Sequence, residues 1–346
     1  MENSRWRLAP TFALAFAIVI TINFYVLSRT AGLLGYGNKW LWLGCAVIMA
    51  AMLGAGFLIR TSSVRGTKGL FVTVTTLYGL EFTALPALIV YEILQFFLDI
   101  PTLLAGQIIV IFVAVIAIIS MINAQTLKVK TLRLPFVRKM KAVQLSDIHI
   151  GAVHGRKYLA RIVNIVNGLK PDLVLITGDV VSGAVAPGSS QLDELSRLEA
   201  PAYLAHGNHE YYEGADEIRA ALPMNICILR DEEKKLPGYS VFGLDYSEEQ
   251  GRGVPRKIYR KFENPTLAMA HVPQFLDLPE GSIILSGHYH GGQVFPINWA
   301  ARLFIKYFQG IYTEKGVTLY VSPGSATWGP PMRFGSRNEI TVLELG

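Results

Sequence analysis

Residues 286–292 read SGHYHGG and close the apolar run SIIL at 282–285. Two imidazoles one residue apart, His288 and His290, on a glycine-flanked turn after a buried strand can each aim a ring nitrogen at a different metal ion. The same device, a His, Asp or Asn just past a short apolar run, recurs upstream: Asp147 and His149 in QLSDIHIG, Asp179 in LVLITGDVV, Asn208 and His209 in YLAHGNHE, and His271 in LAMAHVP. All seven histidines of the chain lie beyond Asn123, and five of them belong to this set. Mixed nitrogen and oxygen donors suit Mn²⁺, Fe²⁺/Fe³⁺ or Zn²⁺ better than Ca²⁺. Each motif alone is weak, because a single strand-end His is commonly a hydrogen-bonded core residue; the conjunction carries the reading.

The elements that must position these residues are short strands alternating with amphipathic helices, the pattern of an α/β domain of about 200 residues. MKAVQLS is a first strand, and Tyr158, Leu159, Ile162, Val163, Val166 and Leu169 follow at helical spacing. Residues 172–177 form a second strand, Leu192, Leu195 and Leu198 mark a helix, PAYLA is a third strand, and 213–222 is another helix. Further strands are expected at 239–244, 267–271, 283–286, 317–322 and 340–345. Five times the metal-type residues stand at the C-terminal end of a strand, where open α/β sheets gather their ligand sites.

Everything upstream of Asn123 reads as a membrane device. Only seven of the 32 Lys/Arg and four of the 26 Asp/Glu lie in residues 1–123. Four stretches, at 8–27, 40–59, 70–97 and 103–122, are long and apolar enough to cross a bilayer of about 30 Å. The first is too long for a signal-peptide core and lacks a small-residue cleavage site, so it reads as a retained span. With the N-terminus inside, the inner segments hold Arg5, Arg7, Arg60, Arg65, Lys68 and the six bases from Lys128 to Lys141, against Arg29 and Lys39 outside. That asymmetry places the C-terminal domain in the cytoplasm. The third stretch, broken by Pro86, is where a re-entrant turn would reverse this. Its Glu81 and Glu92 are either functional intramembrane acids or residues reaching the interfaces from a long tilted helix.

The net charge of +6 is not a nucleic-acid signature. Residues 124–141 form a basic juxtamembrane linker suited to anionic lipid, and from Ala142 onward 19 basic residues face 22 acidic ones. Two cysteines, Cys45 and Cys227, cannot form a disulfide framework. Nothing in the sequence speaks to oligomeric state.

The motifs D-x-H, G-D, G-N-H-D/E, a lone H, and G-H-x-H stand here as Asp147 and His149, Gly178 and Asp179, Gly207 to Glu210, His271, and Gly287 to His290. In this order, over residues 142–346, the chain resembles the calcineurin-like metallophosphoesterases, and its tail YVSPGSATWGPPMRFGSRNEITVLEL is similar to that of a membrane-associated bacterial subgroup. The resemblance implies two packed mixed β-sheets flanked by helices and a pair of divalent ions, Mn, Fe or Zn. It implies Asp147, His149 and His290 around one ion, Asn208, His271 and His288 around the other, and Asp179 bridging through its two oxygens. His209 would face the leaving oxygen. Glu210, where Asp is commoner, is either its orienting partner or a solvated acid. His154 and His206 would stand behind the ligands or on the surface.

Substrate selection is sought in VFPINWAARLFIKYFQGIY after Gln293, either an interfacial flap for an acyl or prenyl chain or a helix packed on the domain's own core. Arg252, Arg256, Lys257, Arg260 and Lys261 form a second basic group, either a phosphate or membrane contact or a solvated loop, and Arg333 is expected either to contact a substrate phosphate or to stand behind the ligands. The whole reads as a multi-pass enzyme of a bacterial inner membrane, partnered by membrane lipids. It would cleave a phosphodiester or pyrophosphate bond in a lipid-linked substrate; the resemblance extends to hydrolases of UDP-diacylglucosamine. A general phosphodiesterase or phosphatase of soluble substrates, or a binding-only membrane sensor, are the other readings.

Overall fold

The computed structural model describes residues 3–36, 44, 67–182, 190–251 and 253–346. The chain divides into two compact units, Met1–Ile119 and Ser120–Gly346.

The first unit is built from the helices Asn3–Leu33 and Thr67–Gln95 and most of Thr102–Gln125. Among the described residues Lys68–Gln95 and Thr102–Gln125 have the length and apolarity to cross a bilayer, whereas the apolar stretch Ala17–Leu33 is shorter. Ala17–Leu33 continues the helix that begins at Asn3, and against the four expected spans two helices among the described residues meet both the length and the apolarity of a span. The span expected at 40–59 lies outside them, as do Cys45, Arg60, Arg65 and Arg252. Pro86 sits inside a continuous helix, with no re-entrant turn at that point. Glu92 does not reach out alone: Arg29 Nη2 donates to Glu92 Oε2 at 3.2 Å, and the guanidinium lies 5.5 Å from the Tyr91 ring. Glu81 is 6% exposed, and its Oε2 finds no hydrogen-bond partner among the described residues.

The second unit consists of two six-stranded sheets and a small pair. The first sheet runs, in spatial order, β1 (Leu127–Leu134), β14 (Asn338–Leu345), β2 (Met140–Leu145), β4 (Leu173–Ile176), β6 (Ala202–Leu204) and β7 (Ile226–Ile228). Only its β14–β2 pair is antiparallel. The second runs β12 (Gly310–Glu314), β13 (Val317–Val321), β11 (Ile283–Ser286), β10 (Thr266–Ala270), β9 (Tyr239–Leu244) and β8 (Glu232–Leu236), antiparallel at both edges and parallel within. β3 (Ile150–Gly151) pairs with β5 (Val181–Ser182).

Ala142, Leu173, Leu175 and Leu343 from the first sheet meet Val241, Leu267, Met269 and Leu285 from the second in one buried layer. On the outer face of the first sheet the Arg156–Leu169 helix buries Tyr158, Leu159, Ile162, Val163 and Val166 against Val143, Leu145, Val174 and Ile176. Strands covered on both faces need apolar side chains at every position, which is why β4 reads LVLI.

The segment expected as a basic linker is in part β1, paired along its whole length with β14. Leu132 and Leu134 enter the layer between the sheets, while Lys130 reaches Tyr320 Oη at 3.1 Å and its ring face at 5.0 Å. The expected helix at 192–198 is a 3₁₀ turn, Asp193–Arg197; that at 213–222 is found as Ala215–Ala221, preceded across Gly214 by a further helix, Asn208–Glu213.

Candidate metal centre

Five strands deliver the site. Asp147 and His149 follow β2, Asp179 follows β4, Asn208 follows β6, His271 follows β10, and His288 and His290 follow β11. Leaving a strand abruptly toward one point requires unusual backbone: Asp147, His149, Asp179, His288 and His290 all have positive φ, between 47° and 75°. For non-glycine residues this conformation is costly and persists where the surroundings enforce it. Close approach enforces it here. A Cβ on Gly207 would lie 2.2 Å from Asp179 Oδ1, and one on Gly287 would lie 1.9 Å from Ser146 Oγ and 2.1 Å from Asp147 Oδ2.

The seven expected ligands converge in two groups. In one, His149 Nε2 and His290 Nε2 are 3.0 Å apart, and Asp147 Oδ1 is 3.4 Å from His290 Nε2 and 4.0 Å from His149 Nε2. In the other, Asn208 Oδ1 is 3.1 Å from His271 Nε2 and 3.0 Å from His288 Nδ1, with those two nitrogens 3.2 Å apart. Asp179 Oδ2 joins the groups, 3.2 Å from His271 Nε2 and 3.7 Å from His149 Nε2. Its other oxygen, Oδ1, accepts the His209 backbone N–H at 2.9 Å. Oδ2 is thus the Asp179 oxygen that stands between the two groups.

These atoms fit a cation better than they fit each other. Donors bound about 2.1 Å from one cation at right angles stand about 3.0 Å apart, and the groups show that spacing. His271 Nδ1 stands 2.8 Å from the acceptor Thr177 O, which fixes the proton on that nitrogen. Nε2, 3.1 Å from Asn208 Oδ1, is then the atom that would turn a lone pair to a cation once its own proton is lost. Asp147 and Asp179 are 0% and 2% exposed, and their only ion-pair partners among the described residues are imidazoles. Burying carboxylates without a cation is expensive. Burial holds His149 and His290 well below the usual imidazole range and His288 down to about 4, the neutral form that metal ligation needs. For His271 burial also pulls downward, but the Asp179 carboxylate outweighs it and raises the ring to about 10. The cluster thus draws positive charge to its centre.

His209 is half-buried at the start of the Asn208–Glu213 helix. Its ring lies 4.8 Å from that of His149, and its Nδ1 has no hydrogen-bond partner among the described residues. A ring nitrogen of His209 also falls within 4.8 Å of donor atoms of His149 and Asp179. Two residues expected to work with the chemistry stand behind it instead. Glu210 does not touch His209: it is fully buried and accepts the backbone N–H groups of Asp179 (2.9 Å), Val180 (2.7 Å) and Gly207 (2.7 Å), tying two ligand loops together. Arg333 is fully buried and cannot meet a substrate phosphate. It donates to Pro323 O, Ala326 O and Arg337 O at 2.7–2.9 Å, and its Nη2 stands 3.3 Å from His290 Nδ1. Three carbonyl oxygens partly offset the cost of burying the guanidinium.

His154 and His206 are both buried rather than superficial. His154 Nε2 accepts the Thr327 N–H at 3.2 Å, and His206 Nδ1 lies 3.6 Å from Asp245 Oδ1. Sequence reading missed the rim of the site. Tyr212 and Trp328, 66% and 52% exposed, lie 5.4 Å and 6.1 Å from the His209 ring, and Gln293 fixes Trp328 through both its N–H (2.9 Å) and its carbonyl (2.7 Å). The available signal was an aromatic residue set in a Gly/Pro-rich loop.

Residues 140–292 match the family model of the calcineurin-like phosphoesterases. The chain is 32% identical over 278 residues to a transmembrane protein with metallophosphoesterase domain of Bos taurus, covering 68% of this chain and 61% of that protein. It is 33% identical over 222 residues to an uncharacterized metallophosphoesterase of Helicobacter pylori, covering 60% of each. A further uncharacterized metallophosphoesterase, of Aquifex aeolicus, is 27% identical over 237 residues, covering 63% of this chain and 89% of that protein. The chain thus spans about three fifths of the length of the first two relatives.

Proposed function

We propose that this chain, which belongs to the calcineurin-like phosphoesterases, is a membrane-attached, metal-dependent hydrolase of phosphoric esters. One observation carries the reading: two groups of ligands meet at a single shared oxygen, Asp179 Oδ2, with the His209 ring beside them. Asp147, His149 and His290 would hold one divalent ion, Asn208, His271 and His288 a second, and Asp179 both; Mn, Fe or Zn suits these donors. Bound there, the ions supply Lewis-acid polarisation of a phosphoryl oxygen and a water of lowered pKa.

The chain's own residues do the rest. A water oxygen adds to phosphorus as the ester or pyrophosphate oxygen leaves, and His209 gives that leaving oxygen its proton. Tyr212 and Trp328 flank His209 and narrow the approach of the leaving group. Glu210 keeps the Asp179 and Asn208 loops in register, and Arg333 braces His290 from behind.

The substrate we favour is a phosphodiester or pyrophosphate carried by a lipid. Two helices of membrane-spanning length in the same chain support this, and so does a relative whose printed name is that of a transmembrane protein. The basic residues around the expected spans favour a bacterial inner membrane with the hydrolase domain on the cytoplasmic side. Membrane lipids are the expected surroundings and nucleic acid is not an expected partner, given 19 basic against 22 acidic residues from Ala142 onward.

The test is hydrolysis by the full chain in detergent, with Mn²⁺ or EDTA, of bis-p-nitrophenyl phosphate beside a UDP-linked diacyl sugar. Metal-dependent cleavage lost in Asp179→Asn is expected, with preference for the lipid. Equal turnover of the small ester would leave a general phosphodiesterase, and no metal-dependent turnover of either would overturn the reading.

A further inference from the structure

The helix Ile297–Phe304 is built inside out. Of its eight residues only Asn298 is buried, while Trp299, Leu303 and Phe304 are 60%, 82% and 86% exposed and Ile297 is 40% exposed. At about 100° per residue, Ile297, Trp299, Ala300, Leu303 and Phe304 share an arc of roughly 160° centred opposite Asn298. A helix packed on its own domain places its apolar stripe inward; here the polar residue faces in and the apolar stripe faces out.

The inward contact is close and leads to the ligands. Asn298 donates through Nδ2 to Phe334 O at 3.0 Å, and its Cα stands where a Cβ on Gly292 would be, 2.3 Å away. Gly292 lies two residues after the ligand His290 and has φ of 72°. The helix is therefore seated on the same turn that presents His288 and His290.

A groove of about 590 Å³ continues the apolar surface toward those ligands. Val272 and Tyr289, each a chain neighbour of a ligand, line one part of it, and Val254, Phe275, Phe304 and Tyr307 line the rest. Arg302 and Lys306 are exposed at the helix and just beyond it; the Arg302 guanidinium lies 5.9 Å from the Phe308 ring, and Lys306 pairs with Glu314 at 3.3 Å.

We propose that this helix is an interfacial element: Trp299, Leu303 and Phe304 enter the headgroup–acyl boundary of an anionic lipid surface, and the groove behind them takes an apolar chain from that surface. An exposed apolar arc flanked by cationic side chains is the signature of a helix lying in a membrane interface, and the same chain carries helices of membrane-spanning length. The inference rests on the reading of the chain as a membrane phosphoesterase and deepens it by assigning how a lipid-borne substrate reaches the ligands.

The experiment uses the full chain with Cys45→Ser and Cys227→Ser, carrying Phe304→Cys labelled with an environment-sensitive fluorophore. It is reconstituted in phosphatidylcholine–phosphatidylglycerol vesicles with or without doxyl-labelled lipid, and Glu263→Cys serves as the reference position. Doxyl lipid is expected to quench the label at 304 several times more than at 263. Equal, weak quenching at both positions in protein that still shows metal-dependent ester cleavage would overturn the inference and leave the hydrolase reading standing. Crosslinking between copies through position 304 without doxyl quenching would also overturn it, assigning the face to a second copy of the chain. A second variant, Leu303→Glu, is expected to lower kcat/KM on a vesicle-borne ester about tenfold relative to its own kcat/KM on a soluble ester. An unchanged ratio would count against the proposal.

Discussion

At the strand ends the second unit buries two carboxylates, Asp147 and Asp179, at 0% and 2% exposure, while on the helix that follows the His290 turn it leaves Leu303 and Phe304 at 82% and 86%. Both places run against the ordinary sorting of polar and apolar side chains, in opposite directions. Buried charge wants a counter-charge, and exposed apolar surface wants a non-aqueous neighbour. On the readings proposed above, the cluster and the helix are two halves of complexes whose other halves would be a cation and a lipid surface. Asn298 and Gly292 join them within a few residues of chain.

The comparison is broken most severely at the shared oxygen. Asp179→Asn is expected to lower kcat on the order of a thousandfold, because both groups lose their common anion; activity near wild type would remove Asp179 from the centre. Stripping divalent ions with EDTA is expected to cost the folded chain about 4 kcal/mol for each ion, if ions are normally present near a thousand times their Kd. Melting in detergent with and without EDTA reads this, and an unchanged Tm would mean the buried carboxylates are satisfied without a cation.

His209→Gln is expected to reduce turnover about a hundredfold, with a smaller loss for esters of acidic leaving groups such as p-nitrophenol. The same loss across all leaving groups would make His209 a ligand or a spacer. Glu210→Gln keeps one carbonyl acceptor for three backbone N–H groups, so a loss of about 1–3 kcal/mol in stability is expected, read by chemical denaturation of the detergent-solubilised chain. The smallest effect falls on the other half of the comparison. Leu303→Glu is expected to change fold stability by no more than about 0.5 kcal/mol, as exposed positions do. A large loss there would show that the helix is packed on the protein after all.

How far the sequence could be read follows from the same contrast. Ligands at the ends of apolar runs are legible because a strand covered on both faces leaves only its end for polar residues, as in LVLITGD. The eight strands expected from the sequence, β2, β4, β6, β9, β10, β11, β13 and β14, are the inner ones. The four long enough to matter that went unread, β1, β7, β8 and β12, are the four sheet edges. Edge strands carry charge to discourage further pairing, so EEKKL in β8 and the lysines of β1 look like loop or linker. For Arg333 and Glu210 the place behind the ligands, and not a contact with substrate, is the one the structure supports. Their partners are backbone groups, those of Arg333 in its own loop and those of Glu210 at Gly207 and the Asp179 loop, and a charged side chain in a loop does not announce that it turns inward. The outward face of Ile297–Phe304 was equally hidden, since amphipathicity says that a helix has two faces and not which one meets the domain.

The central position of β14 has a consequence for synthesis. It lies between β1 and β2, so the first two strands of the domain have no partner in common until residues 338–345 have been made. Leu127 pairs with Asn338 across more than two hundred residues, and closing so long a loop is slow. During translation β1 and β2 would wait as unpaired edges while the intervening chain emerges. A ribosome that stalls before residue 338 would therefore release a product with two adhesive edges, and its clearance, more than its activity, would be the cell's first concern.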